Sequence, residues 1–441
     1  MLRNFLTKPI AGKLKLNKHK YIIIGAGPSG LQTAYFLDKI GEDYMILESA
    51  EKSGSFFENF PIHRKLISIN KKYTGSNNPE FNLRHDWNSL LTEGQEIKLS
   101  DYDDDLYPSA DNLVTYLNDY QKKYGLKVEF GQKVTSIKKN SLFTIETSQG
   151  EQWKCEVCIY AGGFTRANLP SDIEGIEYAT DYADIDTDKS KYNNQRVLII
   201  GKGNSAFETA DHLAGNAALI HVVGPEKLQF AWETHYVGHL RAVNNNILDM
   251  YQLKSQHAVL DAKINSIKYQ DGQYAVTLNY AHAHEEVETI IYDKILSCAG
   301  FKMADNIWKD GCEIETEFSG KFPRLKRNFE SSNIDNFYFV GVLTHVLDYR
   351  KATSGFIHGF RYNCRALINM LAMKTNTQKW PGSQLTHSAA EYTAKIIERV
   401  NSASSLWQQP GYFADVILVP KANYLTDIPA DGVFQGSCRF L

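Results

Sequence analysis

The 441-residue chain is poor in cysteine, and its six cysteines are scattered at Cys155, Cys158, Cys298, Cys312, Cys364 and Cys438. That spacing excludes the dense disulfide framework of a small secreted protein and points to a reducing compartment, with the cytoplasm as the expectation. There is no HExxH string and no Cys/His cluster, so no metal site is expected. No apolar run is long enough to span a bilayer, and the first twenty residues lack the unbroken apolar core of a signal peptide. Charge of either sign is not in excess: 48 Lys and Arg stand against 51 Asp and Glu, a formal net charge of −3, which gives no electrostatic case for nucleic acid. Fixed-period repeats and low-complexity tracts are absent. One segment lacks acid altogether: residues 1–20 carry Arg3, Lys8, Lys13, Lys15, Lys18 and Lys20. It reads as a solvated basic lead-in, with weak contact to an anionic membrane surface as the alternative.

What is present begins at YIIIGAGPSGLQTAYFL, from Tyr21. The β-branched run Ile22 to Ile24 stops at Gly25-Ala26-Gly27-Pro28-Ser29-Gly30, after which Leu31, Ala34 and Leu37 recur at helical spacing. In this strand–turn–helix grammar Gly25 permits the turn, Gly27 admits a pyrophosphate, and Gly30 allows close helix–strand packing. The pyrophosphate then meets the free N–H groups and positive dipole end of the helix. A second apolar strand, Tyr44 to Leu47, ends in Glu48, at roughly the spacing expected of a carboxylate that accepts from ribose hydroxyls and repels a 2′-phosphate.

RVLIIGKGNSAFETA, from Arg196, repeats the grammar. Gly201, Gly203, Asn204 and Ser205 form the turn, and Ala206 stands where a third glycine would be. The following strand ends in Gly224-Pro225-Glu226-Lys227, with no clean acid at the ribose position. Lys227 can neutralise a 2′-phosphate while Glu226 argues the other way, so NADPH is preferred only slightly over NADH. Two such sites in one chain suit a flavin dinucleotide at the first and a nicotinamide dinucleotide that donates hydride to it at the second.

The chain divides into a basic lead over 1–20, a first part of the FAD domain over 21–168, an NAD(P)H domain over 169–320, a second part of the FAD domain over 321–376, and a C-terminal extension over 377–441. Helices are expected over 110–124 and 389–400. The fold class is α/β, two Rossmann-like dinucleotide-binding domains with the NAD(P)H domain inserted into the FAD domain.

GAGPSG with Glu48, AGGF after a strand (161–164), GKGNSAFE and the strand ending at Gly341 resemble the flavin-containing monooxygenase-like flavoproteins, a group sharing the glutathione-reductase architecture. HRKLISINKKYTG (63–75), EFNLRHDWNSLL (80–91), THYVGHLRAVNN (234–245) and DYRKATSGFIHGFRY (348–362) are similar to an endoplasmic-reticulum group of FAD-dependent oxidoreductases within that family. The resemblance implies FAD and NADPH as cofactors, and O2 with a small nitrogen or sulfur nucleophile as substrates. It implies transfer of one oxygen atom through a C4a-hydroperoxyflavin. It also implies that Val134, Gly162, Gly341 and Gly355 lie against the flavin, that the helix opening near Gly355 aims its dipole at the ring, and that Asn70 is the catalytic residue beside flavin C4a. Two departures qualify this. There is no signal peptide, and the chain ends Cys438-Arg439-Phe440-Leu441, so a reticulum location is not implied. The string Phe-x-Gly-x-x-x-His that precedes the second fingerprint in the monooxygenases is absent, with Tyr182 near the place of its histidine.

Alternatives stay open: an NAD(P)H oxidase, a thiol or disulfide reductase, or a non-catalytic flavoprotein that binds a partner. Cys155 and Cys158 invite the reductase reading, but i and i+3 on a strand are expected to point to opposite faces. Asp348, Arg350 and Lys351 are either ligand contacts or a surface charge cluster. The role of His235, with Trp232 and Tyr236 nearby, is open.

Overall fold

The computed structural model describes residues 16–234, 239–254, 257–304, 306–349 and 351–430. His235, Tyr236, Arg350, most of the basic lead and the tail with Cys438 lie outside them.

The first unit is built on β1 (Leu16–Ile24), whose apolar end is buried on both faces, as a central parallel strand requires. It pairs in parallel with β2 (Tyr44–Leu47) on one side and β6 (Gln152–Tyr160) on the other. With β3 (Val128–Glu129), β4 (Val134–Lys139) and β5 (Phe143–Thr147) the order is β3-β2-β1-β6-β5-β4. The strand Phe337–Phe339 returns from far downstream to pair in parallel with β6. Helix α1 (Pro28–Lys39) packs on this sheet and against the Ile357–Lys374 helix. The expected helix at 110–124 is present as Ala110–Lys123, capped by Ser109.

The chain leaves this unit through β7 (Phe164–Ala167) and comes back through a strand antiparallel to it, Phe301–Met303. Between them lies a second, all-parallel sheet containing β8 (Thr180–Asp181), β9 (Arg196–Ile200), β10 (Leu219–Gly224), β11 (His257–Asp261) and the strand Lys294–Ser297. The Asn204–Leu213 helix packs on it, and an antiparallel meander spans residues 263–292. This is the predicted α/β class: two Rossmann-like units, one inserted into the other. Residues 306–320, assigned above to the inserted unit, instead pack with the first. Ile307 and Cys312 join the core around β4–β6, and Ile137 N donates to Ile307 O at 2.8 Å.

The C-terminal extension, whose role the sequence left open, holds the expected helix as Ala389–Ser402 and a three-stranded sheet (Gly382–Gln384, Phe413–Leu418 and Asn423–Pro429). It braces loops of the first unit: Ser404 N donates to Glu80, Arg84 donates to Ala403 O at 3.2 Å, and Thr353 N donates to Gln409 Oε1 at 3.0 Å.

Candidate active site

A cavity of about 1540 Å³ lies between the two units, and both fingerprints open into it. Single-ligand pockets run to roughly 1,000 Å³, so this space suits two extended ligands meeting end to end. Gly25, Gly27, Pro28, Ser29 and Glu48 line it from the first fingerprint, with Val134, Gly162 and Gly355 from elsewhere in the first unit. From the second come Gly201, Gly203, Asn204 and Ser205.

The helix ends facing this space are built to take an anion. In the helix at 110–123 the Ser109 hydroxyl accepts from Asp111 N, whereas α1 and the Asn204–Leu213 helix begin at Gly27 and Gly203 with no side-chain cap. Their orphan donors therefore point into the cavity, which is how helix N-termini bind phosphate. A Cβ added at Gly27 would meet nothing within 4 Å, so the space in front of it is open for a ligand. At Gly30 the same atom would fall 1.9 Å from Gly25 O, which makes Gly30 a packing glycine and not a contact. Gly341 is likewise structural: at φ +77°, its Cβ would press on Ser29 Oγ at 2.5 Å. Ala206 is buried in the second unit's core.

Glu48 is almost fully buried. One oxygen accepts from Ala26 N at 2.6 Å, and the other from Ala50 N at 3.0 Å and the hydroxyl of Ser55 at 3.0 Å. The carboxylate is thus fixed at the end of β2, at the cavity wall. These residues fit FAD at the first fingerprint and a nicotinamide dinucleotide at the second. Lys227, expected at the second ribose, is exposed and not on the cavity. The lysine that lines it is Lys202, inside the fingerprint turn.

Asn70 is placed one layer behind the wall. It is buried, its Oδ1 accepts from Asn88 Nδ2 at 2.7 Å, and its own Nδ2 has no partner. Asn88 is the asparagine on the cavity, and it also donates to Ser68 O at 3.1 Å. Sequence reasoning missed Asn88, although the string 80–91 contained it. Its loop is set by Asp86, which accepts from Asn88 N and Ser89 N, and by Arg361. That arginine is fully buried and donates to Ser89 O at 2.7 Å and Leu83 O at 2.8 Å. His358, one turn earlier, is stacked on Trp87 with ring centroids 4.3 Å apart, and burial pushes its pKa well below the usual range, so it is neutral.

On the opposite wall Tyr182 donates to Glu208, and both line the cavity. Burial pushes the Glu208 carboxyl up to about 7 against the opposing hydrogen bond from Tyr182. Glu208 was also missed; the available signal was its place one turn after Asn204 and Ser205, on the helix face that continues the fingerprint turn. Phe60 stacks on Tyr182 at 5.7 Å and meets Phe301 at 5.1 Å, forming an aromatic wall across the seam between the units.

Cys155 and Cys158 do not diverge as expected. Both lie in one buried cluster with Cys312. Trp153 and Cys155 share that cluster with Cys158 and Tyr160, whereas Val157 and Ile159 pack in the core on the other face, so the period-two alternation slips by one residue around Glu156. Neither thiol reaches the cavity, and burial raises that of Cys158. Asp348 is neither a ligand contact nor part of a surface cluster. It is buried, pairs with His345 at 3.1 Å and accepts from Ser354 N at 3.0 Å, while Lys351 is exposed. Among the described residues no His, Cys, Asp or Glu group is arranged to hold a metal, and no helix is long and apolar enough to cross a membrane.

Comparison with known proteins agrees with this geometry. The family model for pyridine nucleotide-disulphide oxidoreductases matches residues 22–341. FAD-dependent oxidoreductase domain-containing protein 2 of Mus musculus is 35% identical, over 94% of this chain and 67% of that protein. Among solved structures, a flavin-containing monooxygenase from Stenotrophomonas maltophilia superposes with TM-score 0.61 at 17% identity, covering 81% of this chain and 99% of that one. A bacillithiol disulfide reductase from Staphylococcus aureus gives TM-score 0.58 at 21% identity, covering 81% and 99%. At such identities the two structures share the fold alone. The chain belongs to the pyridine nucleotide-disulphide oxidoreductase family, as a relative of the FAD-dependent oxidoreductase domain-containing proteins.

Proposed function

We propose that the protein is an NAD(P)H-dependent FAD oxidoreductase that transfers one oxygen atom from O2 to a soft nitrogen or sulfur nucleophile. The observation that carries this reading is the single cavity onto which both uncapped fingerprint helices open and which, among the described residues, no pair of cysteines lines. Cys298 alone reaches it, and its thiol is raised by burial. A two-thiol relay beside the cavity is thus absent among the described residues, which supports delivery of electrons to O2.

When bound, the nicotinamide supplies two electrons to FAD, which passes them to O2. The chain's own residues do the rest. The α1 and Asn204–Leu213 helix ends would hold the two pyrophosphates, and Glu48 would orient the flavin's ribose. Phe60, Tyr182 and Phe301 form an aromatic wall that would keep water from the seam between the two units. Asn88 presents a neutral amide at the cavity wall, and Asn70 fixes that amide's orientation from behind. Glu208, with its carboxyl raised to about 7, is divided between its protonated and ionised forms at neutral pH while its Oε1 accepts from the Tyr182 hydroxyl. The compartment in this proposal is the cytoplasm, because the five described cysteines are buried and unbridged.

The test is product analysis. NADPH is supplied with a tertiary amine or a thioether under 18O2, and labelled oxide is measured against H2O2. Label in the oxide at a substantial fraction of the NADPH consumed is expected. H2O2 equal to NADPH at saturating nucleophile would remove the oxygenation reading and leave an NAD(P)H oxidase. One observation favours that second reading: Asn70, the residue expected beside the flavin, stands behind Asn88 and not on the cavity.

A further inference from the structure

The two fingerprints of this chain can be laid on each other residue by residue, and they differ at one corner. In the first, Gly25 N donates to Leu47 O at 2.8 Å; in the second, Gly201 N donates to Val223 O at 2.8 Å. That shared bond makes Glu48 the counterpart of Gly224, and Ala26 the counterpart of Lys202. At the first site the strand ends in a carboxylate that accepts from Ala26 N at 2.6 Å. At the second the carboxylate is gone and a lysine replaces the alanine. A Cβ on Gly224 would sit 3.4 Å from Lys202 Cγ and 3.5 Å from its Cε, so the lysine stem lies over the position the carboxylate holds at the first site. The charge at the adenosine ribose corner has been inverted.

We propose that Lys202 selects the adenosine 2′-phosphate of NADPH, exchanging Asp261 for it on binding. This rests on the reading that a nicotinamide dinucleotide occupies the second fingerprint. The Lys202 side chain is only 8% exposed and lines the cavity, so its ammonium is positioned and poorly shared with water. It donates to Glu226 O at 2.7 Å and to the Asp261 carboxylate at the end of β11. Asp261 is 33% exposed, so its carboxylate can turn to solvent when a ligand takes its place. A phosphate monoester carries up to two negative charges and three acceptor oxygens, so it outcompetes a single carboxylate for a fixed ammonium. Lys263, two residues past Asp261, also lines the cavity, whereas Glu226 and Lys227 do not, and Glu226 touches Lys202 through its backbone carbonyl. Lys227, the residue that composition alone points to, has no part in the selection.

The experiment is calorimetric titration of the full-length FAD-loaded protein with adenosine 2′,5′-bisphosphate and with adenosine 5′-monophosphate. The wild type is expected to bind the bisphosphate at least about tenfold more tightly, the effect of one charge-assisted contact. Lys202→Met keeps the apolar stem and should bring that ratio near one with the monophosphate affinity and flavin spectrum unchanged. Asp261→Asn removes the competitor and should widen the ratio, and Lys227→Met should leave it as in the wild type. A ratio that survives Lys202→Met, or is lost in Lys227→Met, overturns the proposal. Equal wild-type binding of both probes overturns the selection while leaving the dinucleotide reading standing. Binding of neither probe overturns both.

Discussion

Arg361 Nη1 donates to the carbonyl of Ser89 at 2.7 Å, joining two residues 272 positions apart. Its second branch reaches Leu83 O, so one buried guanidinium holds both ends of the loop that carries Asn88. Replacing Arg361 with Ala would leave two buried carbonyls unpaired and a cavity behind them. A loss of about 3 kcal/mol or more is expected, since a hydrogen bond to a charged group contributes about 1.5–3 kcal/mol. Urea unfolding followed by fluorescence measures it, and a loss under about 1 kcal/mol would show that the loop is held by other means.

Glu208 yields a pH prediction whose sign follows from its raised pKa. Between the unfolded value of 4.5 and the folded value of about 7, the folded state holds a proton that the unfolded state has released. Stability from this group is therefore fully present below 4.5 and declines as pH rises to about 7, by a few kcal/mol in total. Glu208→Gln removes that dependence. Thermal melts at pH 5 and pH 7.5 should show the wild type losing more stability than the variant over this interval; parallel losses would refute the assignment.

Gly27 and Gly30 should fail differently although both belong to one fingerprint. Leu at Gly27 meets open space, so the variant folds normally by circular dichroism but is purified without yellow colour. Even Ala at Gly30 collides with Gly25 O, so that variant should lose stability as well as flavin. Retention of flavin in Gly27→Leu would sink the placement of FAD at the first site.

Gly203→Leu addresses the second site in the same way. The purified protein should stay yellow, and its flavin should no longer bleach with NADPH under anaerobic conditions. Bleaching at the wild-type rate would mean that the nicotinamide binds elsewhere.

The thiols provide a further check. With Cys155 and Cys158 buried away from the cavity, their joint replacement by Ala should leave the rate of NADPH oxidation within about twofold, at some cost in stability. Abolished turnover would return the dithiol reductase to first place.

Both fingerprints were legible because they are local. A β-branched run, a turn that needs Gly25 at φ +103° or Gly201 at φ +113°, and an amphipathic helix are neighbours in sequence, and their geometry follows from backbone sterics. The inserted topology was legible too, from the order of strand signals. Placement of side chains from distant segments was not. Asn70 and Asn88 are equally plausible from composition, and which one faces the cavity depends on Asp86 and on Arg361 far downstream. Cys155 and Cys158 share a core because the alternation of β6 slips by one residue between them, which the local sequence pattern does not show. Lys202 rather than Lys227 reaches the ribose corner because β10 and β11 end side by side, bringing Asp261 next to it. The sequence by itself determined the local units and their cofactor class, since those depend on contacts a few residues apart. Only the tertiary structure decided which polar groups share the cavity and which carboxyl is kept from water, because burial and charge are properties of everything packed around a group.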